Sequence, residues 1–126
     1  MSSAESILIV EDDDAVRALL VEILSAAGFS ITAVGLAEDA LEVLRVRVPA
    51  LVILDLGMPE GMMQGVEFLA TLRETDAWKT IPVVIFSALG DVVNRDVTTR
   101  LGVTAVVSKP VVDLEWLLKT IRDALP

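Results

Sequence analysis

The sequence predicts an α/β domain built on a parallel sheet with helices on both faces, from three observations. Short apolar runs rich in β-branched residues recur along the chain, segments of helical apolar period separate them, and strand and helix alternate five times over. Apolar runs without in-and-out alternation suit strands buried on both faces. Regular alternation of strands with helices favours parallel pairing, and right-handed crossovers restrict the connections.

In chain order, Ile7 to Val10, Leu51 to Leu54 and Val83 to Phe86 are continuous apolar runs and read as central strands. Ser30 to Val34 and Val103 to Val107 are mixed, as expected nearer a sheet edge. The first helix carries Val16, Leu19, Leu20, Ile23, Leu24 and Ala27 on one face, with Asp14 at the N-cap position and Gly28 as the stop. Ala40, Leu41, Leu44 and Val48 mark a second helix closed by Pro49, and Val66, Leu69, Ala70 and Leu72 a third. Val93, Val97 and Leu101 mark a weak fourth ended by Gly102. Leu114, Leu117, Leu118, Ile121 and Leu125 mark a strong fifth, capped by Asp113.

Composition narrows the chemistry. The 126 residues fit a single domain over 1–126, and a 54% hydrophobic chain has material for a core. There is no Cys and no His, which removes disulfides, thiolate and imidazole metal sites, and Ser-His or Cys-His catalysis. A net charge of −9 lacks the footprint of a nucleic-acid binder and repels anionic membranes. The N-terminus shows no signal peptide, and no apolar run is long enough to span a bilayer. The expected setting is cytoplasmic, with neither nucleic acid nor membrane as partner.

In parallel α/β folds, functional groups gather beyond the carboxyl ends of the strands. Glu11 and Asp12 stand at the end of strand one, Asp55 at strand three, Ser87 at strand four, and Ser108-Lys109-Pro110 at strand five. Three converging carboxylates repel one another and favour a cation. Hard oxygen ligands without His or Cys point to Mg²⁺. A metal-carboxylate site with a lysine and a hydroxyl suits phosphoryl chemistry, where catalysis is mainly positioning and charge neutralisation. Taken singly each motif is weak. Glu11 to Asp14 alone could be a solvated turn with a helix cap, and Asp13 and Asp14 are read that way.

Together they are specific. Ile7-Leu-Ile-Val-Glu-Asp-Asp13, Asp55-Leu-Gly-Met-Pro59, Pro82-Val-Val-Ile-Phe-Ser-Ala88 and Val107-Ser-Lys-Pro110, each at a strand end, make the chain resemble the receiver domains of response regulators, chemotaxis regulators among them. The resemblance covers essentially the whole chain. It implies the flavodoxin-like strand order 2-1-3-4-5, with Asp55 as phosphoacceptor, Asp12 as direct Mg²⁺ ligand, Glu11 supporting the metal and the Gly57 carbonyl as a further ligand. It also implies that Lys109 pairs with the carboxylate and then with phosphoryl oxygens, that Ser87 hydrogen-bonds the phosphoryl group, and that the Lys109–Pro110 bond is cis. The implied donor is a phosphohistidine on a histidine kinase or histidine phosphotransfer protein. Such a domain is a switch that catalyses only its own phosphoryl transfer and dephosphorylation.

Three departures from the family pattern stand out. Val106 occupies the place of the usual aromatic, three residues before Lys109. The loop after Asp55, through Met58-Pro-Glu-Gly-Met-Met-Gln-Gly65, is two residues longer than usual. Its Gly61 and Gly65 predict mobility, and Met62 and Met63 an adaptable apolar surface for docking a kinase or shielding the phosphoryl group. The chain also ends just after the fifth helix, which implies output through a downstream protein or a homodimer, unless this is a fragment. The surface expected for that is helix four, strand five and helix five. Val92, Val93, Val97, Thr98 and Thr99 weaken helix four by roughly a few tenths of a kcal/mol each, and Trp116 lies off the buried face of helix five.

Other functions on similar sheets fit less well. A haloacid-dehalogenase-type enzyme places a second Asp where Gly57 stands. A flavodoxin needs a phosphate loop where Glu11-Asp12-Asp13-Asp14 stands. A receiver-like module that is never phosphorylated would not be expected to keep Asp55, Asp12 and Lys109.

Overall fold

The computed structural model describes residues 5–88, 99–109 and 113–126. Five strands, β1 (Ser6–Val10), β2 (Ser30–Val34), β3 (Leu51–Leu54), β4 (Val83–Ala88) and β5 (Ala105–Lys109), form one sheet in the order β2-β1-β3-β4-β5. Every pairing is parallel. The described helices are α1 (Asp14–Ala26), α2 (Ala37–Val46), α3 (Gly65–Glu74) and a C-terminal helix (Leu114–Ala124). This is the expected doubly wound α/β architecture. Of the expected fourth helix only the end is described, where Thr99 and Arg100 are helical and Gly102, at φ 67°, follows as the expected stop, while its earlier residues and the Lys109–Pro110 bond fall outside the described residues. No described helix is long and apolar enough to cross a membrane.

The period of two along each strand splits the core into two layers. Leu8, Val10, Val52, Leu54, Val83 and Ile85 face α2 and α3, meeting Ala40, Leu44, Phe68, Leu69 and Leu72. Ile7, Ile9, Leu51, Ile53, Val84 and Phe86 face α1 and the C-terminal helix, meeting Leu20, Leu24, Leu117 and Ile121.

Several boundaries differ from those the sequence suggests. Asp13, not Asp14, caps α1: its Oδ1 accepts from the amides of Ala15 at 2.9 Å and Val16 at 3.0 Å. Gly28, at φ 98°, ends α1 as expected. Its amide donates to Ser25 and that of Phe29 to Leu24, the paired bonds of a Schellman stop. Helix α2 ends at Val46 because Arg47 turns extended, so Val48 is exposed instead of facing the core. On α3, Phe68 is the buried anchor and Val66 lies outside. Leu19 and Leu114, read as core, are about half exposed. Strand β5 begins at Ala105, two residues later than its apolar run suggests. Asp113 caps the C-terminal helix as expected, accepting from the Trp116 amide at 3.0 Å.

Arg73, in the last turn of α3, ties the far end of the sheet together. Its Nε donates to the Leu101 carbonyl at 2.6 Å, Nη1 to Ile81 at 2.8 Å and Lys79 at 3.0 Å, and Nη2 to Gly102 at 3.2 Å. One rigid fork thus joins the segments entering β4 and β5. Burial lowers the Arg73 pKa from its ordinary value.

Candidate functional site

The site lies at the carboxyl ends of β1 and β3. The Glu11 amide donates to the Val34 carbonyl at 3.0 Å, continuing the β1–β2 ladder one residue past the strand. The Asp55 amide likewise donates to Val10 at 2.9 Å, continuing β3 against β1. The backbones of Glu11 and Asp55 are therefore fixed by the sheet. Both carboxylates are buried, at 1% and 7% exposure, while Asp12 is exposed.

These three side chains converge. One carboxylate oxygen from each of Glu11, Asp12 and Asp55 lies within 4.8 Å of the others. At an effective dielectric of about 20, two full charges at such a distance repel by roughly 3–4 kcal/mol. A divalent cation among them converts that repulsion into attraction, and an all-oxygen donor set fits a hard cation such as Mg²⁺. The cluster can therefore hold a metal.

Two further residues brace this rim, and the sequence reading assigned neither. Arg17 donates from Nη1 to the Glu11 carbonyl at 2.9 Å, and its Nη2 pairs with Asp14 Oδ1 at 2.5 Å. The visible signal was the spacing of Asp14 and Arg17, a helical i,i+3 ion pair. Gln64 closes the long loop after Asp55. Its Oε1 accepts from the Met58 amide at 3.2 Å, and its Nε2 donates to the carbonyls of Met62 at 3.1 Å and of Met58 and Pro59, each at 3.3 Å.

Backbone contacts tie the loop at several points. Gly61 is committed to a turn at φ 82°, with the Met62 amide donating to Pro59 at 3.1 Å. Gly65 is held in close backbone contact with Leu56. The Met63 amide donates to Glu38 Oε2 on α2 at 3.3 Å. The Gly57 amide donates to Asp55 Oδ1 at 3.1 Å.

Ser87 pairs with Ser108, and Ala88 with Lys109, at the last rungs of β4 and β5. The backbones of Ser87 and Lys109 thus reach the same pole of the sheet as Asp55. Their side chains lie outside the described residues. Val106 is 41% exposed and Trp116 49% exposed, the latter as its position off the apolar face predicts.

The chain is similar to known proteins of one family. The response regulator receiver domain family model matches residues 7–122. The KDP operon transcriptional regulatory protein KdpE of Escherichia coli is 33% identical over 83% of this chain and 44% of that protein. Response regulator Rre1 of Synechocystis is 34% identical over 99% of this chain and 53% of that protein. The chain thus spans about half the length of these two relatives. An uncharacterized 14.6 kDa protein of Leptolyngbya boryana is 34% identical over 88% of this chain and 83% of its own length. Among solved structures, a sensor protein of Polaromonas is 29% identical with a TM-score of 0.81, covering 95% of this chain and 94% of its own. Chemotaxis protein CheY4 of Vibrio cholerae shares the fold, with a TM-score of 0.87 over 98% of this chain and all of its own, at 24% identity. With its strand order, its acidic rim and this family match over nearly the whole chain, the protein belongs to the response regulator receiver domains of two-component systems.

Proposed function

We propose that Asp55 accepts a phosphoryl group from a phosphohistidine of a histidine kinase or histidine phosphotransfer protein, with Mg²⁺ held by Glu11, Asp12, Asp55 and the Gly57 carbonyl. The observation that carries this is the convergence of the three carboxylates within 4.8 Å. Bound there, the cation neutralises charge on the acceptor and on the incoming phosphoryl oxygens.

The chain's own groups do the rest. The sheet fixes the Asp55 backbone, and the Gly57 amide fixes the plane of its carboxylate. A carboxylate oxygen of Asp55 attacks phosphorus, the P–N bond to the donor imidazole breaks, and the histidine leaves with that electron pair. Lys109 balances the roughly −1.5 to −2 charge that arrives, and Ser87 donates a hydrogen bond to the phosphoryl group. Both roles follow from the family resemblance and are supported by the pairing of β4 with β5. Hydrolysis of the acyl phosphate resets the switch, water cleaving the mixed anhydride to restore the Asp55 carboxylate and release inorganic phosphate.

The output surface lies on the expected fourth helix, β5 and the C-terminal helix, where exposed Trp116 offers an anchor for a downstream protein or a second copy. The setting is the cytoplasm. Treatment with acetyl phosphate and Mg²⁺ should add one phosphoryl group by intact mass. The adduct should be absent in Asp55→Asn and in EDTA. An adduct that persists in either overturns the assignment.

A further inference from the structure

We infer that Gln64 is a positioning residue for the metal site, acting by fixing the peptide plane between Gly57 and Met58. This rests on the Mg²⁺ reading above and deepens it. The Gly57 carbonyl and the Met58 amide belong to one planar trans peptide unit, so they point in opposite directions. Gln64 Oε1 accepts from the Met58 amide at 3.2 Å. Whatever holds that N–H therefore also sets where the Gly57 carbonyl points, which is away from Gln64. The N–H of Gly57 itself is held too, donating to Asp55 Oδ1 at 3.1 Å. Gly57 has no side chain to restrain it and is solvent-exposed. These two bonds restrain its carbonyl direction.

The orientation of the Gln64 amide follows from its surroundings. Its oxygen meets one N–H and its nitrogen faces the carbonyls of Met58, Pro59 and Met62. A flipped amide would set its NH₂ against the Met58 N–H and its oxygen against the carbonyls. Met58 is gripped at both its amide and its carbonyl, and its side chain is buried.

The experiment is a Mg²⁺ titration of the full chain by amide NMR, with hydrogen exchange at Met58 measured alongside. Gln64→Met keeps the length and removes donor and acceptor. Gln64→Asn keeps the amide but falls one methylene short of Met58, and serves if the first variant does not fold. Either variant should speed Met58 amide exchange and weaken Mg²⁺ affinity about tenfold, the lower end of what loss of a ligand-orienting partner does. Three results overturn the inference. The first is unchanged Met58 exchange, which shows that Gln64 does not hold that amide. The second is quicker exchange with Mg²⁺ affinity unaltered, which removes the positioning role and leaves the metal site standing. A parent chain that binds no Mg²⁺ overturns the metal reading itself, and this inference with it.

Discussion

A Cβ atom at Gly65 would stand 2.9 Å from the carbonyl oxygen of Asp55 and 2.6 Å from the α-carbon of Leu56. The Gly65 amide donates to the Leu56 carbonyl at 3.1 Å across the same gap. The first residue of α3 and the residue after Asp55 are thus pinched together. Any side chain at Gly65 must push that backbone apart. Gly65→Ala should lose about 1–3 kcal/mol of stability, the usual cost of overpacking, and should slow phosphorylation because the displaced backbone carries Asp55. Urea unfolding and phosphorylation kinetics measure the two effects. Stability within about 0.5 kcal/mol of the parent would contradict the pinch.

Arg73 is expected to matter for stability and not for chemistry, since it binds the pole opposite the acidic rim. Arg73→Met strands the four carbonyls that its guanidinium satisfies, and should cost about 2–4 kcal/mol, given roughly 1.5–3 for a hydrogen bond to a charged group and no strict additivity. Arg73→Lys should recover less than half, because an ammonium cannot span the same acceptors. Burial lowers the Arg73 pKa, but a guanidinium stays protonated at working pH. Folded and unfolded chains then bind the same proton, so the loss should be equal between about pH 6 and pH 9. A loss that changes across that window would mean that another titrating group depends on Arg73.

Trp116 is 49% exposed in the first turn of the C-terminal helix. Trp116→Ala should therefore fold with stability within about 0.5 kcal/mol of the parent. It should weaken binding to the output partner, or self-association, when beryllofluoride mimics the phosphoryl group. Sedimentation with and without beryllofluoride reads this directly. Equal association of parent and variant in both states removes Trp116 from the output surface.

The sequence made the sheet and the acidic rim legible because both depend on local signals. Apolar runs such as Leu51 to Leu54 admit few other placements, and strand ends in a parallel sheet share one pole. Helix faces were less legible. Phe68 is the anchor of α3, yet the aliphatic spacing drew attention to Val66, which is exposed. Leu19 and Leu114 continue an apolar stripe that runs wider than the surface covering it. The cap on α1 fell to Asp13 because, of four consecutive acids, its side chain is the one that accepts from the amides of Ala15 and Val16. Gln64 could not be read from sequence at all. Its role exists only once the loop has folded back to bring Met58, Pro59 and Met62 around its amide.

The most direct measurement of the central claim locates the phosphoryl group chemically. Borohydride reduces an acyl phosphate to the alcohol, so a phosphorylated aspartate becomes homoserine and can be found by peptide mass mapping. After treatment with acetyl phosphate and Mg²⁺, reduction should place homoserine at Asp55, with Glu11 and Asp12 unmodified. A reduced residue at Glu11 or Asp12, or none in the parent chain, would contradict the account.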